Sequence, residues 1–236
     1  MIPEVEAMSP PRVAIVMLNY NGWRDTRECL ESVLSLRYPD LSLVVVDNGS
    51  RGGEAQEIDR WLRGVYGTRE ELPGAGTDEY RAFAYGDARE KQGNRAASPP
   101  AQAFLLANRE NHGFAKGNNL AIEFALERLA PHFVLLLAFA AAAPDAGSVQ
   151  PRILSKSAER VMDSLGQAVF RSGRARDIGQ GERDIGEAGA VEIFGTCAAA
   201  ALYRAEALRE AGLLDKRFFI TLEDVDLAWR LRLCGY

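Results

Sequence analysis

An α/β fold with a mostly parallel, doubly wound sheet flanked by helices is the class this sequence predicts, on three observations. Residues 13–18 and 41–46 are short, β-branched apolar runs, the pattern of parallel strands covered on both faces. Residues 25–36 lie between them and carry Cys29, Leu30, Val33, Leu34 and Leu36 at helical spacing, with polar residues on the other side. Each run then releases into polar residues, Asn19-Tyr20-Asn21-Gly22 and Asp47-Asn48-Gly49-Ser50. In open α/β sheets that carboxyl edge is where ligands bind.

The elements follow in order. Residues 1–11 hold adjacent prolines and no periodicity, which predicts a disordered tail ahead of one domain over 12–236. Tyr38-Pro39 ends the first helix, and the length of the crossover predicts a right-handed βαβ unit. Gly52-Gly53 permits a turn into a helix over 54–65 with Ile58, Trp61, Leu62 and Val65 as its buried stripe. From 66 to 102 the chain is rich in Gly, Pro, Ala and charge, so a loop-rich surface insertion is expected. Residues 103–107 read as a buried strand, 117–129 as a helix and 132–137 as a further apolar strand. Through residue 137 this gives four strands alternating with three helices.

Further on, residues 160–187 alternate polar and glycine residues, consistent with short strands or an acceptor-side loop region. A strand is expected over 191–194, a tight turn at Gly195-Thr196-Cys197, an apolar segment over 198–203, and a short helix over 204–211 closed by Gly212. The last helix, 221–234, is expected to turn Leu222, Val225, Trp229 and Leu233 inward.

Composition narrows the function classes. A net charge of -5 argues against a broad nucleic-acid footprint. No apolar run approaches the roughly 18 residues of a spanning helix, and the N-terminus lacks the basic and apolar regions of a secretory leader, which predicts a cytoplasmic chain without a transmembrane segment. Cys29, Cys197 and Cys234 are odd in number and far apart, in keeping with buried free thiols.

Several residues carry two readings. Asp47 can be a turn former bonding its own backbone. The stretch 111–119 (NHGFAKGNN) joins a strand to a helix, where Asn111 and Asn118 can satisfy the loop and the cap, or the helix N-terminus can offer N–H groups to phosphate. Lys116 is either a solvated lysine or a charge beside that phosphate. Thr221 and Asp224 have the spacing of a capping pair, and Glu223, Asp224 and Asp226 suit a first helical turn.

Taken together, LNYNG, VVVDNGS, NHGFAKGNN, FGTC at 194–197 and the closing GLLDKRFFITLEDVDLAWRLRLCGY resemble family 2 nucleotide-sugar glycosyltransferases, in particular a rhamnosyltransferase-like branch. The resemblance implies a GT-A, Rossmann-like mixed sheet in one domain, with a further strand normally following the point where this chain stops. It implies inverting transfer of a sugar from a UDP- or dTDP-linked donor to an acceptor hydroxyl, in cell-surface glycan synthesis. By the resemblance, Asp47 accepts from the pyrimidine N–H, Asn19 and Tyr20 line base and ribose, and Asn111 contacts the nucleotide. Asn118 falls where relatives place an arginine. Asp224 is the general base and Glu223 supports it. Glycan or lipid-linked acceptors are the implied partners, with peripheral association at the inner membrane face as an option.

The resemblance also implies Mg2+ or Mn2+, held by the last carboxylate of an Asn-Asn-Asp run. This chain reads Ala138-Phe139-Ala140 there, so the expected ligand position is Ala140 and weak or absent turnover is expected. A nucleotide-sugar-binding module that has lost turnover is the alternative. A nicotinamide-dependent oxidoreductase is disfavoured, because the first strand-to-helix turn lacks G-x-G-x-x-G.

Overall fold

The computed structural model describes residues 10–72, 79–86, 102–136, 146–155, 157–184 and 191–236. The opening unit is β1 (Val13–Asn19), α1 (Trp23–Leu34) and β2 (Leu41–Asp47), followed by α2 (Glu54–Tyr66). Next come β3 (Glu70–Glu71), β4 (Tyr80–Gly86), β5 (Gln102–Asn108), α3 (Gly113–Arg128) and β6 (Phe133–Leu136). The remainder contributes β7 (Ser148–Val149), β8 (Ile153–Leu154), β9 (Met162–Ser164), β10 (Gln167–Val169), β11 (Ala175–Asp177), β12 (Ala201–Arg204), α4 (Ala205–Ala211) and α5 (Glu223–Leu233).

Eight strands form one mixed sheet in the order β3-β4-β5-β2-β1-β6-β12-β7. Its centre, β5-β2-β1-β6, is parallel, and β4 and β12 flank it antiparallel. Alternation along the strands sorts the core into two layers. Ala14, Val16, Val44, Val46, Phe104 and Leu106 meet α3, α4 and α5 on one face. Ile15, Met17, Leu43, Val45 and Leu105 meet Leu30 and Val33 of α1 and Ile58 and Leu62 of α2 on the other. Both faces being covered is why these strands read as unbroken apolar runs.

Four expectations are corrected. The 66–102 stretch is not all loop: β4 pairs with β5 from Tyr80 opposite Asn108 to Gly86 opposite Gln102, and Tyr80, Ala82, Phe83 and Tyr85 are buried. Its alternation was masked by small residues between the aromatics. α3 begins at Gly113, not 117, because its loop is held by side-chain hydrogen bonds from outside the helix. Residues 191–194 form no strand: the Ile193 and Phe194 carbonyls accept from the Arg232 side chain instead, and an isolated bridge follows at Gly195, where Gln167 N donates to Gly195 O at 2.8 Å. Finally, α5 turns Glu223, Asp224, Leu227, Ala228 and Leu231 inward, whereas Leu222, Trp229 and Leu233 are exposed. The polar pair therefore lies on the inward face, and the stripe expected to be buried faces largely outward. The expected tail falls mostly on residues 1–9 and the position of Ala140 on 137–145, both outside the described residues.

Candidate active site

The register of the parallel strands brings their polar C-terminal residues side by side, Asn19 opposite Asp47 and Asp47 opposite Ala107. Asn19 is fully buried. Its Nδ2 donates to Asp47 Oδ1 at 2.9 Å and Glu54 Oε2 at 2.9 Å and approaches Ser50 Oγ at 3.1 Å, while its Oδ1 accepts from Thr26 Oγ1 at 2.7 Å. Asn19 is thus a brace for Asp47, its amide hydrogens engaged within the protein. Asp47 is buried as well; its other oxygen receives the Ser50 N–H at 3.3 Å, the turn bond expected of an Asp before Asn-Gly. Tyr20, next in the chain, is 44% exposed and presents its ring at the same edge.

A second brace joins β2 to the loop before α3. Asn48 Nδ2 donates to Asn111 Oδ1 at 2.9 Å and to Gly113 O at 3.0 Å, and Asn48 Oδ1 accepts from Asn108 Nδ2 and from His112 N. Gly49 makes this approach possible. Its φ is +69°, and a Cβ there would sit 2.3 Å from the Glu110 carbonyl carbon. Asn111 also accepts from Gly113 N at 2.8 Å, so it shapes the loop. Asn118 is buried and gives its amide to Phe114 O at 2.9 Å. Lys116 pairs with Glu79.

Of the two readings of this helix start, the first two N–H groups follow the one in which the loop satisfies itself. Gly113 N serves Asn111, and Phe114 N donates to Phe219 O at 2.8 Å. The second of these bonds ties the segment leading into α5 to the start of α3. Gly113 is again required: a Cβ would lie 2.7 Å from both the Phe219 ring and its carbonyl oxygen. The chain then passes through two consecutive non-glycine residues in the left-handed region, Thr221 at φ 77° and Leu222 at φ 71°, before α5 starts. No side chain caps the helix, so the expected Thr221 capping role is absent.

Asp224 points into the protein. Its Oδ2 accepts from Gln167 Nε2 at 2.8 Å and Ala198 N at 3.1 Å, and its Oδ1 from Val225 N at 2.8 Å. Glu223 is 5% exposed and its Oε2 has no hydrogen-bond partner. Burial pushes its carboxyl above the usual range and the charge of Asp224 adds to this, against backbone hydrogen bonds that lower it. Cys197 is a poor nucleophile, since burial pushes its thiol up to about 11. A separate cavity of about 640 Å³ beside the far end of α5 is lined by residues such as Gln150, Arg152, Phe194, Gly195 and Arg232, and by neither Asp47 nor Asp224.

The structure therefore joins Asn19 to Asp47 directly and Asn111 to the same edge through Asn48. It ties Phe219, in the segment that leads to Glu223 and Asp224, to the start of α3 by main chain. Asn48, Ser50, Glu54 and Gln167 are further residues bonded into the candidate site that sequence reasoning missed; only Asn48 and Ser50 had a signal, in the turn after β2. A divalent cation does not fit the described residues, which contain no cluster of three or more His, Cys, Asp or Glu able to hold one. Ala140 has no donor side chain. Among the described residues no helix is long and apolar enough to cross a membrane.

Residues 14–76, about a quarter of the chain, match the family model described as Glycosyl transferase family 2. No curated protein matches. Among solved structures, a mannosyltransferase from Pyrobaculum calidifontis, in complex with GDP-Man and Mn2+, superposes with a TM-score of 0.55 at 18% identity. The superposition covers 97% of this chain and 54% of that one, so the chain spans about half the length of that protein. The mixed sheet with its flanking helices is that of a GT-A fold, and the first βαβ unit is similar in sequence to family 2 glycosyl transferases, which supports a glycosyltransferase.

Proposed function

We propose that this chain is an inverting glycosyltransferase domain that takes a UDP- or dTDP-linked sugar and transfers it to an acceptor hydroxyl of a glycan or lipid-linked glycan. The observation that supports the proposal is the Phe114–Phe219 backbone bond, which ties the segment leading into α5 and its Glu223-Asp224 pair to the start of α3, beside the loop that Asn48 braces to the end of β2. Asp47, braced by Asn19, accepts from the base, and the Tyr20 ring packs on it. Asp224 takes the acceptor proton as the hydroxyl oxygen bonds to the anomeric carbon. The bond from that carbon to the diphosphate breaks on the opposite side, which inverts the configuration. A positioned carboxylate contributes roughly 100- to 10,000-fold in such a step. The family's metal, when bound, supplies charge neutralisation at the leaving group; the residues described do not hold it, and no step here depends on it.

Calorimetry with UDP, dTDP, GDP and ADP and their sugars tests the donor site. Selective pyrimidine binding that Asp47→Ala abolishes is the expected result. Equal binding of adenine nucleotides, or tighter binding of GDP, would overturn the base assignment. A second reading, a nucleotide-sugar-binding module without turnover, is favoured by Ala140. Nucleotide-induced thermal stabilisation with no sugar transfer, and transfer gained with Mn2+ on Ala140→Asp, would decide for it.

A further inference from the structure

We infer that Gln167 is the positioning residue of the proposed base, holding the Asp224 carboxylate from the β10–β11 hairpin. The inference rests on the assignment of Asp224 above. Gln167 opens β10 (Gln167–Val169), outside the central sheet and outside the residues that match the family model. Its side chain is 6% exposed, and its Nε2 donates to Asp224 Oδ2 at 2.8 Å. Its backbone N–H donates to Gly195 O at 2.8 Å, which pins the hairpin to the segment under α5. That segment is pressed onto the helix: a Cβ on Gly195 would come 2.3 Å from the Ala228 Cβ, one turn along from Asp224. The amide is therefore delivered to the carboxylate by main-chain contacts at its base and by close packing beside it.

The other end of the same amide argues against a role in folding alone. Gln167 Oε1 is buried with no hydrogen-bond partner. A buried acceptor left unmatched costs about as much as one charge-assisted hydrogen bond returns, so a leucine or methionine of similar volume would serve the core equally well. What an apolar residue cannot do is fix the rotamer of Asp224. With Gln167 Nε2 and Ala198 N both on Oδ2, that oxygen is held, and Oδ1, which receives only the adjacent Val225 N–H, is the atom left to meet a hydroxyl. Without the amide, Asp224 retains one contact from outside its own helix and can swing. A carboxylate misplaced by about 1 Å loses much of its effect on proton transfer.

Gln167→Leu is compared with wild type and with Asp224→Asn, in the chain as it stands and in the Ala140→Asp background. The expected result is a kcat for sugar transfer reduced about 10- to 100-fold, with the KM for donor and the nucleotide-induced shift in Tm unchanged and the Tm of the free protein nearly unchanged. A crystal structure of Gln167→Leu is expected to show the Asp224 carboxylate rotated away from Ala198 N. Unchanged kcat in Gln167→Leu beside an inactive Asp224→Asn would overturn the inference and leave the base assignment standing; full activity of Asp224→Asn would overturn the base assignment itself. Where neither background turns over, an unmoved Asp224 in the crystal structure overturns the inference without any rate.

Discussion

Asn19 Nδ2 lies 2.9 Å from Asp47 Oδ1, so the last residues of two neighbouring parallel strands are clasped side chain to side chain in the interior. Asn19→Leu removes this bond and strands Asp47 and Thr26, both buried. A loss of about 2–4 kcal/mol in unfolding free energy is expected, because buried partners are left unmatched. Urea denaturation checks it, and a loss under about 0.5 kcal/mol, the range of ordinary surface changes, would show that Asn19 is not the brace described.

Asn48→Ala should act on a different element from the one that carries it. Its amide makes two donations into the loop before α3 and receives two hydrogen bonds. Faster amide hydrogen exchange at residues 111–114 is expected, with weaker nucleotide binding and a stability loss of about 2–4 kcal/mol. Exchange at those amides indistinguishable from wild type would contradict the assignment.

Glu223 gives a pH signature. Its folded carboxyl is raised, first by burial and then by Asp224, so the unfolded chain releases this proton at lower pH than the folded one. The associated stability is fully present below the unfolded value of about 4.3 and is lost as pH rises through the folded value. Glu223→Gln should thus be more stable than wild type at neutral pH, with the gain shrinking toward about pH 4. Thermal unfolding across that range tests the sign; a gain that grows on acidification would refute it.

Leu222 is half exposed and left-handed, at φ 71°. Glycine adopts that backbone without a steric penalty, so Leu222→Gly should raise stability by up to about 1 kcal/mol even after its own entropy is counted. If the strained turn also sets the angle at which α5 enters, sugar transfer falls in the same variant. A variant less stable than wild type would mean that the Leu222 side chain contributes more than its exposure suggests.

The central sheet was legible because a strand covered on both faces must be apolar throughout, and 13–18, 41–46 and 103–107 are. β4 was not, since YRAFAYG mixes two faces with small residues and an arginine that stays outside. The sidedness of α5 was misread because Leu222, Trp229 and Leu233 outvote the acids in any hydrophobic count, while Trp229 instead packs edge-on against Phe194, 4.9 Å between ring centres. At the candidate site, Asp47 and Asp224, the two carboxylates on which the proposal rests, stand in motifs that can be seen in the sequence. What holds them could not be seen: neither the bracing bonds of Asn19 nor those of Gln167 had a signature, because a supporting amide is defined by what it reaches in space and by nothing in its own neighbourhood of sequence.

The clasp between residues 114 and 219 is made by an N–H and a carbonyl, atoms that every amino acid but proline supplies. The bond itself is consequently indifferent to which side chain residue 114 or residue 219 carries. The side chains at 219 and 220 can change without removing that bond, whereas a proline at 114 deletes its N–H and a side chain at 113 collides with the carbonyl that accepts it.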